Sequence, residues 1–87
     1  MPWALRIEKK AQKQLRKLPK PDRQRIALAL DRMLENPYGG DVLRLQGMRG
    51  DFRRRVGSYR IFFSVEAPLG IVHIHAVLRR KTTTYKR

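Results

Sequence analysis

Residues 50–66 read Gly-Asp-Phe-Arg-Arg-Arg-Val-Gly-Ser-Tyr-Arg-Ile-Phe-Phe-Ser-Val-Glu, and this stretch decides the fold. It predicts a β-hairpin, because two alternating runs, Phe52–Val56 and residues 59–65, flank Gly57-Ser58. A two-residue connection that begins with glycine favours a tight type II′ turn. Since side chains alternate across a strand, the register assigns each residue of the hairpin to one face of the sheet.

The hairpin is predicted to have one basic face that is open to water, because a small domain can cover only the other face with helices. Arg53, Arg55 and Arg60 share this open face. Guanidiniums held on rigid strands form an anion site, since each can bind a phosphate through paired donors. The alternative is a solubilising surface, but like charges on neighbouring strands repel one another unless an anion binds. The other face carries Phe52, Arg54, Val56, Tyr59, Ile61, Phe63 and Val65.

Two amphipathic helices are predicted upstream of the hairpin. Residues 3–8 alternate apolar and polar side chains, which indicates a short first strand. Apolar residues on a helical period then predict a helix over residues 9–18, which the following Pro-Lys-Pro ends. A second helix with an apolar stripe is predicted to begin near Pro21 or Asp22 and to end at Asn36.

The remaining segments complete the predicted fold. Residues 38–48 form a glycine-containing connection, and the apolar run at residues 71–78 is the last strand. The prediction is a single α+β domain over residues 1–87, in the order β-α-α-β-β-β. A mostly antiparallel four-stranded sheet carries the helical hairpin on one face. Three residues of the connection are expected to pack against the edge of the core: Val42, Leu43 and Leu45.

The chain is strongly basic. Lys and Arg total 21 against 7 Asp and Glu, a formal net charge of +14 in 87 residues, which exceeds what solubility requires. The usual partner of such a surface is nucleic acid, through neutralisation of phosphates and release of counterions. Anionic membrane and an acidic protein are the alternative partners of the same charge. Nucleic acid is preferred because the arginines lie on predicted strands and not only in tails.

Several classes of protein and of site are excluded. Cysteine is absent, so there are no disulfides and no thiolate metal ligands. No apolar run is long enough to span a bilayer, and the first residues lack a signal-peptide pattern, which favours a cytoplasmic protein. No His, Asp and Glu cluster has metal-ligand spacing, and the glycines match no phosphate-binding loop. We therefore expect no metal and no cofactor.

Two histidines and one tyrosine are further candidates. His73 and His75 lie two apart on the last strand and so share a face. They are either packed or half-exposed sheet residues, a metal site, or an acid–base pair. Arg79 has the same parity as His75, which predicts that the two lie on the open face together. Tyr85, in the basic tail, either anchors the terminus to the core or stacks on a nucleobase.

The sequence resembles the RelE/ParE toxin superfamily over nearly its whole length. The resemblance lies in Leu45-Gln46-Gly47, in the basic strand and the Gly-Ser-Tyr-Arg hairpin, and in the tail with Arg79-Arg80 and Tyr85. It implies the toxin of a toxin–antitoxin pair. RelE-type members enter the ribosomal A site and cut mRNA without metal, by attack of a ribose 2′-OH on the adjacent phosphate. ParE-type members share the fold and inhibit DNA gyrase.

The resemblance also implies site residues. The basic-strand positions are Arg53 and Arg55, and the hairpin arginine is Arg60. Because arginine stays protonated, it can stabilise phosphate charge but is a poor base, so the base is left open among His75, Tyr85 and a ribosomal group. The tail arginine is either Arg79 or Arg80, and the tail aromatic is Tyr85. Further basic residues assigned to RNA binding are Arg49, Arg54, Lys81, Lys86 and Arg87.

The leading hypothesis is a metal-independent, ribosome-dependent mRNA endonuclease of the RelE type that inhibits translation. Its expected partners are the ribosome, mRNA and a small acidic antitoxin, and the free protein is expected to be a monomer. A ParE-type gyrase inhibitor and a non-catalytic RNA- or ribosome-binding module are the alternatives.

Overall fold

A computed structural model of the chain describes residues 3–46 and 51–80. The strands are β1 (Ala4–Ile7), β2 (Val42–Arg44), β3 (Phe52–Val56), β4 (Tyr59–Glu66) and β5 (Ile71–Arg79). The helices are α1 (Lys9–Arg16) and α2 (Lys20–Glu35), and a 3₁₀ turn, Ala67–Leu69, joins β4 to β5. The strands form one sheet in the order β1-β5-β4-β3-β2. The α+β class and the element types agree with the sequence prediction.

The β3–β4 hairpin forms as predicted. Val56 pairs with Tyr59 across the Gly57-Ser58 turn. Gly57 has a φ of +58°, whereas no residue other than glycine has a positive φ in residues 3–46 and 51–80. A positive φ at the first central residue alone is the pattern of a type II′ turn, which matches the twist of the flanking strands.

The two helices cover one face of the sheet. The helix hairpin breaks where proline cannot continue a helix: α1 ends at Arg16, and α2 begins at Lys20 with a proline in its first turn. The core lies between α2 and the central strands β4 and β5, whose inward-facing residues alternate with residues on the open face. Side chains with no solvent exposure are Ala11, Ile26, Met33, Ile61, Phe63, Val72 and Ile74.

The sheet has one strand more than the sequence predicted, and it is mixed. β2 is an edge strand of three residues antiparallel to β3, with Leu43 opposite Arg53, and so short a segment gives no readable alternation. β1 pairs in parallel with β5, since the two helices and the hairpin lie between them in the chain. Val42 packs against the core and Leu45 is half-buried, but Leu43 is 51% exposed, so its predicted burial was wrong.

A β-bulge reverses the alternation of β5 partway along the strand. Phe62 pairs with Ala76, but Phe63 pairs with Ile74, which leaves His75 as the extra residue. Beyond the bulge, Val77 pairs with the buried Ile61 and is itself 2% exposed. The second half of β5 therefore presents its odd-numbered residues to the helices, whereas His73 and His75 lie on the open face.

No helix among the described residues is long and apolar enough to cross a membrane.

Candidate nucleic-acid interface

Three arginines lie on the open face of β3 and β4, where the alternation placed them: Arg53, Arg55 and Arg60. We call this group the arginine face. Arg55 lies directly opposite Arg60, and Arg53 lies opposite Phe62. Directly opposed residues have Cβ atoms about 5 Å apart, so the positive charges of Arg55 and Arg60 repel each other in the free protein. A bound anion would remove this repulsion.

Arg55 has an acidic partner within the chain. Its Nε donates to Asp41 Oδ2 over 2.8 Å, and its backbone N–H donates to the Asp41 carbonyl over 2.9 Å. The two side chains are 47% and 50% exposed, so this ion pair contributes at most about 1 kcal/mol to stability. Asp41 therefore orients Arg55 while leaving part of the guanidinium accessible to another anion.

Arg53 and Arg60 each have one guanidinium nitrogen that is shielded from solvent. Arg53 Nη1 and Arg60 Nε are shielded from solvent, and neither has a hydrogen-bond partner within the part of the chain that the structure describes. A shielded donor on a charged group that has no acceptor destabilises the free protein. A phosphate that draws the two guanidiniums outward would supply the acceptors that residues 3–46 and 51–80 do not provide.

Arg54 lies on the other face, against the helices. It is 7% exposed, and its Nη1 donates to the Gly39 carbonyl over 2.7 Å. Gly40, with a φ of +83°, passes so close that a Cβ there would lie 2.8 Å from Arg54 Cζ. Burial lowers the pKa of the Arg54 guanidinium, and the charge of Arg32 lowers it further. Arg54 holds the α2–β2 connection in place, so the prediction that it contacts RNA is not retained.

The bulge decides which of the two tail arginines lies on the open face, and the sequence alone did not reveal the bulge. Arg79 pairs with Tyr59 on the helix side, so the prediction that it shares the face of His75 was wrong. The Tyr59 hydroxyl donates to Asp22 Oδ2 over 2.8 Å. This hydrogen bond and burial raise the pKa of Tyr59, whereas the positive charges of Arg79 and Arg25 oppose the increase.

Arg80 continues the strand pairing by one residue, since its N–H donates to the Ser58 carbonyl over 2.6 Å. Leu78 pairs with Arg60 on the open face, and Arg80 has the parity of Leu78. The structure therefore brings Arg80, rather than Arg79, to the arginine face. The remaining basic candidates, Arg49, Lys81, Lys86 and Arg87, and the aromatic Tyr85 lie outside the described residues.

The histidines lie beyond the arginine face on the same open side of the sheet. Their rings are nearly parallel, at 12°, with centroids 6.5 Å apart. His73 Nε2 is 2.9 Å from Glu66 Oε1. His75 contacts two partners: its Nδ1 is 2.7 Å from Glu8 Oε2, and its Nε2 is 2.8 Å from Ser64 Oγ. Residues 3–46 and 51–80 contain no cluster of side chains that could hold a metal ion.

Glu8 and Ser64 were not identified from the sequence as site residues. Glu8 is 67 residues from His75 in the chain, so no local pattern connects them. The only signal available was the prediction that the first strand joins the same sheet as the last.

Comparisons with known proteins match this chain to a family of toxins and to solved toxin structures with the same fold. The family described as ParE toxin of type II toxin–antitoxin system, parDE, matches residues 5–83. No curated protein sequence matches the chain significantly.

Solved structures that share the fold include RelE toxins. RelE in the archaeal RelE–RelB complex from Pyrococcus horikoshii OT3 is 29% identical, with a TM-score of 0.81 over 92% of this chain and 97% of that chain. A chain of the toxin–antitoxin complex RelBE2 from Mycobacterium tuberculosis is 24% identical, with a TM-score of 0.81 over 92% of this chain and 100% of that chain. The isolated E. coli RelE toxin is 23% identical, with a TM-score of 0.80 over 94% of this chain and 88% of that chain.

Proposed function

This chain belongs to the ParE toxin family, within the RelE/ParE superfamily, and on that premise we propose how the toxin of this type II toxin–antitoxin pair acts. It is a metal-independent endoribonuclease that cuts mRNA in the ribosomal A site and so stops translation. It works in the cytoplasm as a monomer once it is free of its antitoxin. The observation that carries this proposal is the arginine face, which presents on two paired strands guanidinium donors that have no acceptor in residues 3–46 and 51–80.

The chemistry is an intramolecular phosphoryl transfer. The ribose 2′-oxygen attacks the adjacent phosphorus, negative charge grows on the nonbridging oxygens, and the 5′-oxygen leaves, which gives a 2′,3′-cyclic phosphate. Arg60 and Arg53 bind those nonbridging oxygens, because guanidiniums fixed before the reaction stabilise charge that develops during it. Arg55 and Arg80 flank them and bind the neighbouring phosphates.

The antitoxin partner follows from the charge as well as from the family. The RelE chain from Pyrococcus horikoshii OT3 was solved in complex with RelB. A net charge of +14 favours an acidic partner. Opposite charges on the two proteins accelerate their association, and the acidic partner must offset the repulsion among the basic residues before apolar contacts can form. We propose that the antitoxin neutralises this toxin by bringing acidic residues to the arginine face.

Inhibition of DNA gyrase is the second candidate function. The matching family is the ParE family, whereas the solved structures with the same fold are RelE toxins, so each line of comparison favours a different target. The arginine face favours RNA cleavage because it offers the groups that a phosphorane needs. Gyrase inhibition requires only a binding surface.

The deciding experiment runs two assays on the same samples. Toeprinting of mRNA in a purified translation system detects cleavage, and DNA supercoiling detects gyrase inhibition. The samples are the wild type, Arg60→Ala and the matched control Arg16→Ala, which removes the same group from an exposed position on α1. We expect wild type and Arg16→Ala to cut mRNA in the A site, and Arg60→Ala to be slower by about 100-fold or more.

Melting curves must show that both variants are folded, and a surface arginine should have little effect on stability. Inhibition of supercoiling without mRNA cleavage would replace the proposed function with the gyrase alternative. Full cleavage by folded Arg60→Ala would mean that the active site lies elsewhere.

A further inference from the structure

Glu8, His75 and Ser64 form a chain of hydrogen bonds across the open side of the sheet. Glu8 lies between β1 and α1, His75 is the bulged residue of β5, and Ser64 is on β4. The two contacts of the imidazole measure 2.7 and 2.8 Å, and the His75 side chain is 17% exposed. Both ring nitrogens are therefore occupied, and the ring orientation is defined from both sides.

The contacts determine the role of each nitrogen. A glutamate carboxylate only accepts hydrogen bonds, so Nδ1 carries the proton that points at Glu8. In the neutral ring, Nε2 is then the acceptor, and the Ser64 hydroxyl donates to it. Nε2 is thus a proton acceptor that a serine hydroxyl occupies when no substrate is bound.

His75 lies close enough to the arginine face for one nucleotide to contact both. Phe62 lies on the open face between Arg53, its partner on β3, and the bulge on β5. Adjacent strands are about 4.8 Å apart, so Arg53 and His75 flank Phe62 at backbone positions about 10 Å apart. An arginine side chain spans most of that distance, so one nucleotide can contact the guanidinium through its phosphate and the imidazole through its ribose.

We propose that His75 accepts the proton of the RNA 2′-OH, and that Glu8 positions it; this inference rests on the proposed function. The 2′-O–H bond breaks and its proton goes to Nε2, where the ribose hydroxyl takes the place of Ser64. The 2′-oxygen forms the bond to phosphorus as the bond from phosphorus to the 5′-oxygen breaks. The 5′-oxygen takes a proton from water, and His75 returns its proton to solvent. Arginine cannot perform this step, because it stays protonated.

A second histidine–glutamate pair lies beside His75 on the open side of the sheet. His73 stacks on it from the same strand, Glu66 contacts His73 from β4, and Arg6 pairs with His73 from β1. The pair His73–Glu66 therefore resembles His75–Glu8 in chemistry, strand and face. The two pairs differ in three respects: His73 contacts its carboxylate through Nε2 rather than Nδ1, it is not the bulged residue, and Ser64 contacts His75 instead. His73 therefore serves as an internal control.

The test compares these two pairs by single-turnover cleavage on ribosome complexes with toxin in excess, over roughly pH 5 to 8. His75→Gln can keep both hydrogen bonds, through amide nitrogen to Glu8 and amide oxygen to Ser64, but it cannot take up the proton. We expect it to lose on the order of 100-fold in rate and to lose the rise in rate with pH. His73→Gln should cleave within about threefold of wild type with an unchanged pH profile.

Glu8→Gln tests the positioning role, with Glu66→Gln as its control. An amide can donate to Nδ1, which would move the ring proton to Nε2 and block the acceptor, so we expect a loss on the order of 100-fold. The double variant Glu8→Gln/His75→Gln should be no slower than His75→Gln alone, because the two residues act as one unit. If Glu8 had only a structural role, Glu8→Gln would lower the rate further even in the His75→Gln background.

Two results separate this inference from the proposed function. If Arg60→Ala is inactive while folded His75→Gln and Glu8→Gln cleave at the wild-type rate, His75 is not the proton acceptor, and the endoribonuclease assignment stands. If the wild type does not cleave at all under conditions in which a known ribosome-dependent RNase does, both fail.

Discussion

The two faces of the sheet use the same side chain in opposite ways. Arg53, Arg54 and Arg55 are consecutive on β3, so alternation sends the middle one to the helices and its neighbours to the open side. Arg54 is 7% exposed and donates to a backbone carbonyl. Arg53 has a shielded donor without an acceptor in the described part of the chain, and Arg55 shares an exposed ion pair.

This difference shows that consecutive arginines on one strand can have separate roles, one in stability and the others in binding. On the covered face the guanidinium has its acceptor inside the protein, so its removal should destabilise the fold. On the open face, Arg53 has a donor without an acceptor in the described part of the chain, and the exposed partner of Arg55 can be replaced by another anion. Removing either guanidinium should therefore leave the fold intact and weaken binding of an anion. Charge and composition alone do not distinguish the three residues, whereas their parity on the strand does.

The largest expected effect is on the covered face. Arg54→Ala removes the donor to the Gly39 carbonyl and leaves a cavity beneath Gly40, so we expect stability to fall by about 2–4 kcal/mol. For a domain of this size the melting temperature should decrease by roughly 10 °C or more. Thermal unfolding by circular dichroism measures this. Arg53→Ala is the control and should not lower stability, because it removes a shielded donor that has no acceptor in the described part of the chain; equal losses in the two variants would refute the distinction between the faces.

On the open face, the shape of the guanidinium should matter as well as its charge. Arg60→Lys keeps the positive charge but replaces a planar fork by a point charge, so we expect cleavage to slow by about tenfold while the melting temperature stays unchanged. Single-turnover cleavage and thermal melting on the same sample check both parts. Wild-type cleavage by the lysine variant would show that Arg60 contributes only its charge.

Tyr59 links the covered face to α2, and its effect should depend on pH. Its pKa is raised chiefly by the hydrogen bond to Asp22, so the folded state favours the neutral phenol. The stabilisation is complete below the pKa of an unfolded tyrosine, about 10, and is lost as pH rises through the higher pKa of the folded state. Tyr59→Phe should melt several degrees lower than wild type at neutral pH, and the gap should close above about pH 10. A gap that stays constant across this range would exclude the hydrogen bond as its cause.

The smallest effect should come from the partner of Arg55. Asp41→Asn releases the guanidinium and raises the net positive charge, so we expect RNA to bind a few-fold more tightly, with a somewhat steeper salt dependence. Stability should fall by less than about 1 kcal/mol, because the pair is exposed. Fluorescence anisotropy with a short RNA at several salt concentrations measures the affinity, and Asp31→Asn on α2 controls for net charge. Equal gains in both variants would mean that Asp41 acts only through the overall field.

The sequence was most informative where the signal was local and periodic. The hairpin, its turn, the two helices and the faces of Arg53 and Arg60 follow from alternation, helical spacing and proline. The bulge at His75 has no such signal, because an extra residue in β5 is defined only by its pairing with β4. That one residue decides whether Arg79 or Arg80 lies on the open face. The contact of Glu8 with His75 likewise depends on the parallel pairing of the first and last strands.

The position of β5 in the sheet has a consequence for biosynthesis. Among the described residues, β5 is the last strand in sequence but lies between β1 and β4, so β1 has no partner in the sheet until β5 has been made. Proteins whose contacts join distant parts of the chain fold slowly, because the loop between them must close first. The five-stranded sheet, and with it the open face that brings His75 and Arg80 to the same side as Arg60, is therefore completed only after β5 has been synthesised, so this face forms late in biosynthesis.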